Sequence, residues 1–181
     1  MLAPELKADV NKLWDKFWSG GIANPLVAIE QMSYLIFMKR LEDLDAVHVK
    51  RASARKEPFK SIFEGHDDCR WSHWKHYKDD EMLKHVSLVV FPFIKELHNG
   101  DETLYSQYMK DAMFVIPKPS LLQDAVAIID DMNITDRNQD TQGDIYEYLL
   151  NQLRTSGLNG QFRTPRHIIR MMVDLIDPDI G

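Results

Sequence analysis

The sequence predicts an all-α fold, an irregular bundle of several helices, and three observations carry that prediction. Apolar residues recur at three- and four-residue steps through most of the 181-residue chain. No alternating strand pattern of any length, internal repeat or low-complexity tract competes with them. Asn-Pro, Thr-Pro, Asn-Gly and Gly-Gly signals punctuate the periodic stretches where helices start and stop. With 44% hydrophobic residues a sizeable core is available, and the length suits one compact domain or one domain plus part of a second.

The elements follow in order. Leu2, Leu6, Val10, Leu13, Trp14, Phe17 and Trp18 form an amphipathic helix ending at Ser19-Gly20-Gly21, with its aromatic stripe assigned to the core. Asn24-Pro25 supplies a cap and a first-turn proline for a long helix through Leu26, Ile29, Met32, Ser33, Ile36, Leu41 and Leu44, fading near Lys50. Its stretch Leu35-Ile36-Phe37-Met38 is apolar on nearly all sides, which marks the central, buried element of the bundle. From residue 52 to 79 the periodicity lapses. Pro58, Gly65 and clustered polar and aromatic residues predict an irregular excursion, pinned down by Trp71 and Trp74. Residues 81–97 return to helical spacing despite Pro92, whose missing N–H and ring clash predict a kink or split, and Asn99-Gly100 ends that helix. A helix over 102–113, the spacer Pro117-Lys118-Pro119 and a helix opened by Ser120 and running to Ile129 come next. The polar run 135–142 reads as a linker, followed by helices over 144–153 and 164–176. The chain thus divides into a helical domain, 1–134, a linker, 135–142, and a helical segment, 143–181.

Charge limits the function. A formal net charge of -6 argues against a protein that grips nucleic acid by bulk charge, because phosphate neutralisation needs clustered Lys and Arg. The clearest basic patch is Lys50, Arg51, Arg55, Lys56 and Lys60, five cations against the single anion Glu57, which suits either a solvated loop or a few DNA contacts. Cys69 is the one cysteine, so no intramolecular disulfide framework exists. With no basic leader and no long apolar run, the expected location is cytoplasmic, with no membrane partner.

His66, Cys69, His73 and His76 invite a zinc reading, but structural zinc sites pair two short ligand clusters across a longer loop, and this run has one thiolate. They read as polar surface residues around Trp71 and Trp74, and no metal is expected. The glycine patterns of serine hydrolases, P-loops and dinucleotide folds are missing, so no catalytic residue is assigned. Asp79-Asp80-Glu81 and Asp130-Asp131 lie beside helix boundaries and read as capping and solvating charges. The turn Gly160-Gln161-Phe162-Arg163-Thr164-Pro165-Arg166 is the most informative stretch. Thr164 can cap and Pro165 can open the helix that follows, and the positive helix end attracts carboxylate or phosphate. Ser/Thr-Pro also begins many helices that hold no ligand.

A resemblance joins these features. Leu13-Trp14, Gly21-Ile22, Asn24-Pro25-Leu26, Tyr34-Leu35-Ile36-Phe37-Met38-Lys39-Arg40-Leu41, Arg70-Trp71-Ser72, Val90-Phe91-Pro92, Gly143-Asp144-Ile145-Tyr146-Glu147-Tyr148-Leu149-Leu150 and the Gly160 to Arg166 turn carry it. On these residues the chain resembles, nearly end to end, the N-terminal part of the modification (M) subunit of type I restriction-modification DNA methyltransferases. The resemblance implies S-adenosylmethionine as cofactor and places Gln161, Phe162, Arg163, Thr164, Pro165 and Arg166 at one wall of its pocket. It implies adenine methylation in DNA by the full subunit, with a specificity subunit, a second modification subunit and a restriction subunit as partners. The family's Asp-Pro-x-x-Gly-x-Gly loop and Asn-Pro-Pro-Phe/Tyr motif are not in this sequence; Asp177-Pro178-Asp179-Ile180-Gly181 resembles the lead-in to the catalytic sheet. The expectation is a chain that reaches the threshold of an α/β methyltransferase domain, binds no cofactor by itself and is inactive by itself. The competing expectations are a self-standing helical interaction module and a non-enzymatic DNA-binding domain, the latter disfavoured by charge.

Overall fold

The computed structural model describes residues 2–97, 107, 109–132 and 141–155. Helix α1 (Pro4–Ser19) leads to the long helix α2 (Pro25–Arg55). A 3₁₀ turn at Asp67–Cys69 and the short helix α3 (Trp71–Trp74) follow. Helix α4 (Asp79–His85), a π-helical segment (Val86–Val90) and α5 (Phe91–Lys95) run on without a break. Helices α6 (Pro119–Asp131) and α7 (Thr141–Thr155) complete the described elements, and no strand occurs among the described residues.

Helix α2 is the hub, as its apolar circumference predicts: α1, α3, α6 and α7 all pack on it, and Leu35, Ile36 and Met38 are buried with Phe37 half-buried. Its start is as read. The Asn24 side chain accepts the Leu26 N–H at 3.0 Å, and Pro25 occupies the first turn. Its end is not. The helix continues past Lys50 to Arg55 and stops where Lys56 adopts a left-handed conformation, φ 57°. The apolar period fades there because the last turns face no core, while Lys, Arg and Ala sustain the helix through local propensity.

In α1, Leu6, Val10, Leu13 and Phe17 are buried, but Trp18 is 53% exposed, which corrects its assignment to the core. At about 100° per residue Trp18 falls well off the stripe that the other four define. Gly20 sits where α1 meets α6. A Cβ there would lie 2.7 Å from Leu121 Cδ2 and 2.8 Å from the Lys16 carbonyl.

Pro92 disrupts its helix without breaking it, and the structure shows the means. The Phe91 N–H bonds back five residues to the Val86 carbonyl, so a wide π turn ends just ahead of the proline. The next helix stops sooner than predicted: residues 107, 109 and 110 are helical, and the chain from Ala112 to Lys118 is not. Buried Gln31 explains this. Its Nε2 donates to the Met113 carbonyl at 3.0 Å and its Oε1 accepts the Val115 N–H at 2.9 Å, so one α2 side chain holds an irregular segment by its backbone. The Lys95 ammonium adds bonds to the carbonyls of Lys110 and Ala112. Helix α6 then starts at Pro119, with Lys118 at the cap position and no side-chain cap, so Ser120 lies inside the first turn instead of opening the helix.

Helix α7 begins at Thr141, so Thr141 and Gln142 are helical where the polar run was expected to continue. Ile145 and Leu149 enter the common core against α1 and α2, and the Tyr148 hydroxyl donates to Asn11 Oδ1 at 2.8 Å. The predicted helix over 164–176 lies outside the described residues.

Candidate functional site

The Gly160 to Arg166 turn lies outside the described residues, so the structure gives no position to Gln161, Phe162, Arg163, Thr164, Pro165 or Arg166. The helix before it, α7, is anchored in the core through Ile145 and Leu149.

The basic run is described in full. Lys50, Arg51 and Arg55 stand on the last turns of α2, Lys56 is at its C-cap and Lys60 is in the following loop, all of them exposed. None forms an ion pair with a described residue.

Beside this run lies a polar network that sequence reading missed. Asp45, 5% exposed, accepts bonds from Ser61 Oγ at 2.7 Å, the Ile62 N–H at 3.1 Å and Arg70 Nη1 at 3.3 Å. Arg70 also donates from Nη2 to Ser61 Oγ and from Nε to Asp67 Oδ1, and its guanidinium lies 4.7 Å from the centre of the Phe63 ring. Burial alone would lower the Arg70 pKa, but the bonds and charges of Asp67 and Asp45 outweigh it and raise it, so the group stays cationic. The loop after α2 is thereby tied back to the helix. An open groove of about 560 Å³ runs along α2 here, lined by Asp45, Ala46, Val49, Lys50, Ser53, Ala54 and Arg70. An aspartate at a core position of an amphipathic helix was the available signal: Asp45 follows Leu41 and Leu44 on the helix side that meets the loop.

The Trp71 and Trp74 prediction holds: both are buried, with their rings edge-on at 4.7 Å. Trp71 Nε1 donates to Asp130 Oδ1 at 3.0 Å and Lys75 Nζ reaches Asp130 Oδ2 at 2.8 Å. Asp130 is therefore a pin between the excursion and α6, which corrects its reading as a solvating charge. Trp74 Nε1 is buried with no acceptor among the described residues. All three residues of Arg70-Trp71-Ser72 tie α3 to its surroundings: Arg70 to Asp45 of α2 and to Ser61 of the loop, Trp71 to Asp130 of α6, and Ser72 to Glu42 of α2 through both its N–H and its hydroxyl.

The four zinc candidates are not brought together. Cys69 is buried, and burial, aided by the charge of Asp68 and a bond to it, pushes its thiol up to about 12. His66 packs on Phe93, His73 bonds the Tyr77 hydroxyl and His76 is exposed. Among the described residues no three His, Cys, Asp or Glu side chains are placed to hold a metal ion.

Comparison with known proteins adds the frame. The HsdM N-terminal domain family matches residues 6–129. The chain belongs to that family. Residues 137–181 match a second family, N-6 DNA Methylase. This HsdM N-terminal domain chain is also similar to the type I restriction enzyme EcoEI methylase subunit of Escherichia coli, 25% identical over 171 residues, covering 89% of this chain and 34% of that protein. The chain thus spans about a third of the length of that curated relative. No solved structure matches it. The two family matches meet between residues 129 and 137, yet α7, which belongs to the second match, is packed into the core of the HsdM N-terminal domain.

Proposed function

We propose that this chain serves as the N-terminal part of the modification subunit of a type I restriction-modification enzyme. The observation that carries the reading is the order of the two family matches, an HsdM N-terminal domain running directly into an N-6 DNA methylase segment. The whole subunit transfers a methyl group from S-adenosylmethionine to the exocyclic amine of an adenine turned out of the DNA duplex. The helical domain contributes to the embrace of DNA and to contacts with the specificity subunit, the second modification subunit and the restriction subunit. Lys50, Arg51, Arg55, Lys56 and Lys60 supply a few phosphate contacts, and base reading falls to a partner, which suits a chain of net charge -6. Among the described residues no helix is long and apolar enough to cross a membrane, and the cytoplasm, where the DNA is, is the proposed location.

The cofactor wall is proposed at Gln161, Phe162, Arg163, Thr164, Pro165 and Arg166. The Thr164 hydroxyl and the helix start behind it favour the methionyl carboxylate of S-adenosylmethionine, and Phe162 packs on its apolar part. Calorimetric titration of the whole subunit with S-adenosylmethionine, alongside transfer of tritiated methyl groups to duplex DNA in the assembled enzyme, tests both levels. Thr164→Ala is expected to weaken cofactor binding about tenfold, the worth of one charge-assisted hydrogen bond, without lowering the melting temperature. Unchanged affinity removes Thr164 from the pocket; absence of label in adenine from the wild-type assembly removes the methyltransferase reading.

A further inference from the structure

The loop that follows α2 turns back along the helix, and both of its ends are fixed. At the first, Lys56 takes its left-handed conformation, and the N–H groups of Lys56 and Glu57 bond the carbonyls of Ser53 and Ala52. At the second, buried Asp45 accepts the Ser61 hydroxyl and the Ile62 N–H. Pro58, with its fixed φ, stiffens the span between them. The next residue, Phe59, meets the His48 ring of α2 at 5.7 Å and 51°, yet it is 42% exposed. An aromatic ring is thus held at the surface on a tethered loop, while Phe63, four residues on, is buried.

The cations lie on the same side as this ring. At about 100° per residue, Arg51 and Arg55 fall about 60° and about 20° from His48 around the axis of α2, and about 4.5 Å and about 10.5 Å further along it. Lys56 and Lys60 flank Phe59 in the loop itself. All four are exposed, none forms an ion pair with a described residue, and Glu57 is the one anion between residues 50 and 60. Unpaired cations around a half-open ring suit a ligand that carries negative charge beside a flat apolar face. A nucleotide has both in one unit. In a duplex the face of each base is covered by its neighbours, so only an unpaired base can offer its face to a side chain. We infer that Phe59 is a stacking platform for an unpaired base of a DNA strand whose phosphates meet Arg51, Arg55, Lys56 and Lys60. The inference rests on the reading of the basic run as a DNA contact and deepens it, because phosphate contacts alone need no aromatic residue and do not tell a paired strand from an unpaired one.

The intact chain is titrated, by fluorescence anisotropy at about 0.05 M salt, with a labelled thymidine strand of about 12 nucleotides. A strand of equal charge in which every nucleotide is abasic, and a fully paired duplex, serve as the other probes. The thymidine strand binds more tightly than the abasic one. Phe59→Leu, which keeps an apolar contact with His48 but has no flat ring, weakens thymidine binding about tenfold, the worth of one stacked base, and Phe59→Trp restores it. The abasic strand and the duplex bind the wild type and both variants alike, and all three proteins melt alike by circular dichroism. The double variant Arg55→Gln, Lys60→Gln weakens every probe, which tests the phosphate contacts separately. If it does so while Phe59→Leu changes nothing, or if the thymidine and abasic strands bind equally, the platform is overturned and the DNA contact stands. If no probe binds, or the double variant affects none, both readings fall. Tighter binding of a tyrosine-bearing polyglutamate peptide than of the thymidine strand, lost in Phe59→Leu, also overturns the inference and gives the ring to an acidic protein partner.

Discussion

Buried and half-buried polar side chains here act as clamps on irregular backbone. Gln31, Asp45 and Asp130 each sit on a helix and hold a segment that has no regular structure of its own or only a turn of it. Such groups are tolerated inside only when their bonds are made, and each of these three makes at least two. Asp130 has a measurable consequence. Burial alone would raise its pKa, but hydrogen bonds from Lys75 and Trp71, with the charges of Lys75 and Lys39, outweigh burial and hold it below the ordinary carboxylate value. A group depressed on folding stabilises the native state above its unfolded pKa, and that contribution is lost as pH falls through the folded value. The loss therefore begins below about pH 4. In urea titrations followed by tryptophan fluorescence, the wild type is expected to lose stability more steeply over that acid range than Asp130→Asn. Parallel curves would show that Asp130 gains nothing from its partners.

At the level of elements, two helices meet across a residue with no side chain. Gly20 ends α1 in ordinary helical territory, φ -74°, so its role is one of space and not of conformation. Both Leu121 of α6 and the Lys16 carbonyl lie closer than 3.0 Å to where a Cβ would be. The leucine can shift, but the backbone carbonyl cannot without loosening the helix end. Gly20→Ala is expected to cost about 1–3 kcal/mol, read as a lower urea midpoint with unchanged slope. A midpoint within error of the wild type would mean that α1 and α6 pack less closely than described. The same reasoning by element accounts for α2, whose first five turns are fixed by packing and whose last turns depend on local propensity and a left-handed stop at Lys56.

Across the whole molecule, α7, which falls within the stretch matched to the methylase family, is packed into the common core. Ile145 and Leu149 are 2% and 1% exposed and share the core with α1, α2 and α6, and Tyr148 bonds Asn11 from the other end of the sequence. Leu149→Ala is expected to destabilise the whole helical domain by about 2–5 kcal/mol in a single cooperative transition. A second, separate transition would instead divide α7 from the rest. This packing joins α7 to the helices of the 1–134 region. The sequence alone determined the helices whose apolar stripes face the core, the Asn24-Pro25 start, the disruption at Pro92 and the burial of Trp71 and Trp74, because periodicity, caps and proline act over a few residues. The family resemblance was legible for the same reason, in short runs such as Arg70-Trp71-Ser72. Tertiary structure decided what depends on distant partners. It ended one helix early because Gln31 captures residues 113 and 115, turned Asp130 from a surface charge into a pin and set Asp45 beneath a groove. Those outcomes rest on bonds between residues as many as 84 positions apart, which no local pattern records.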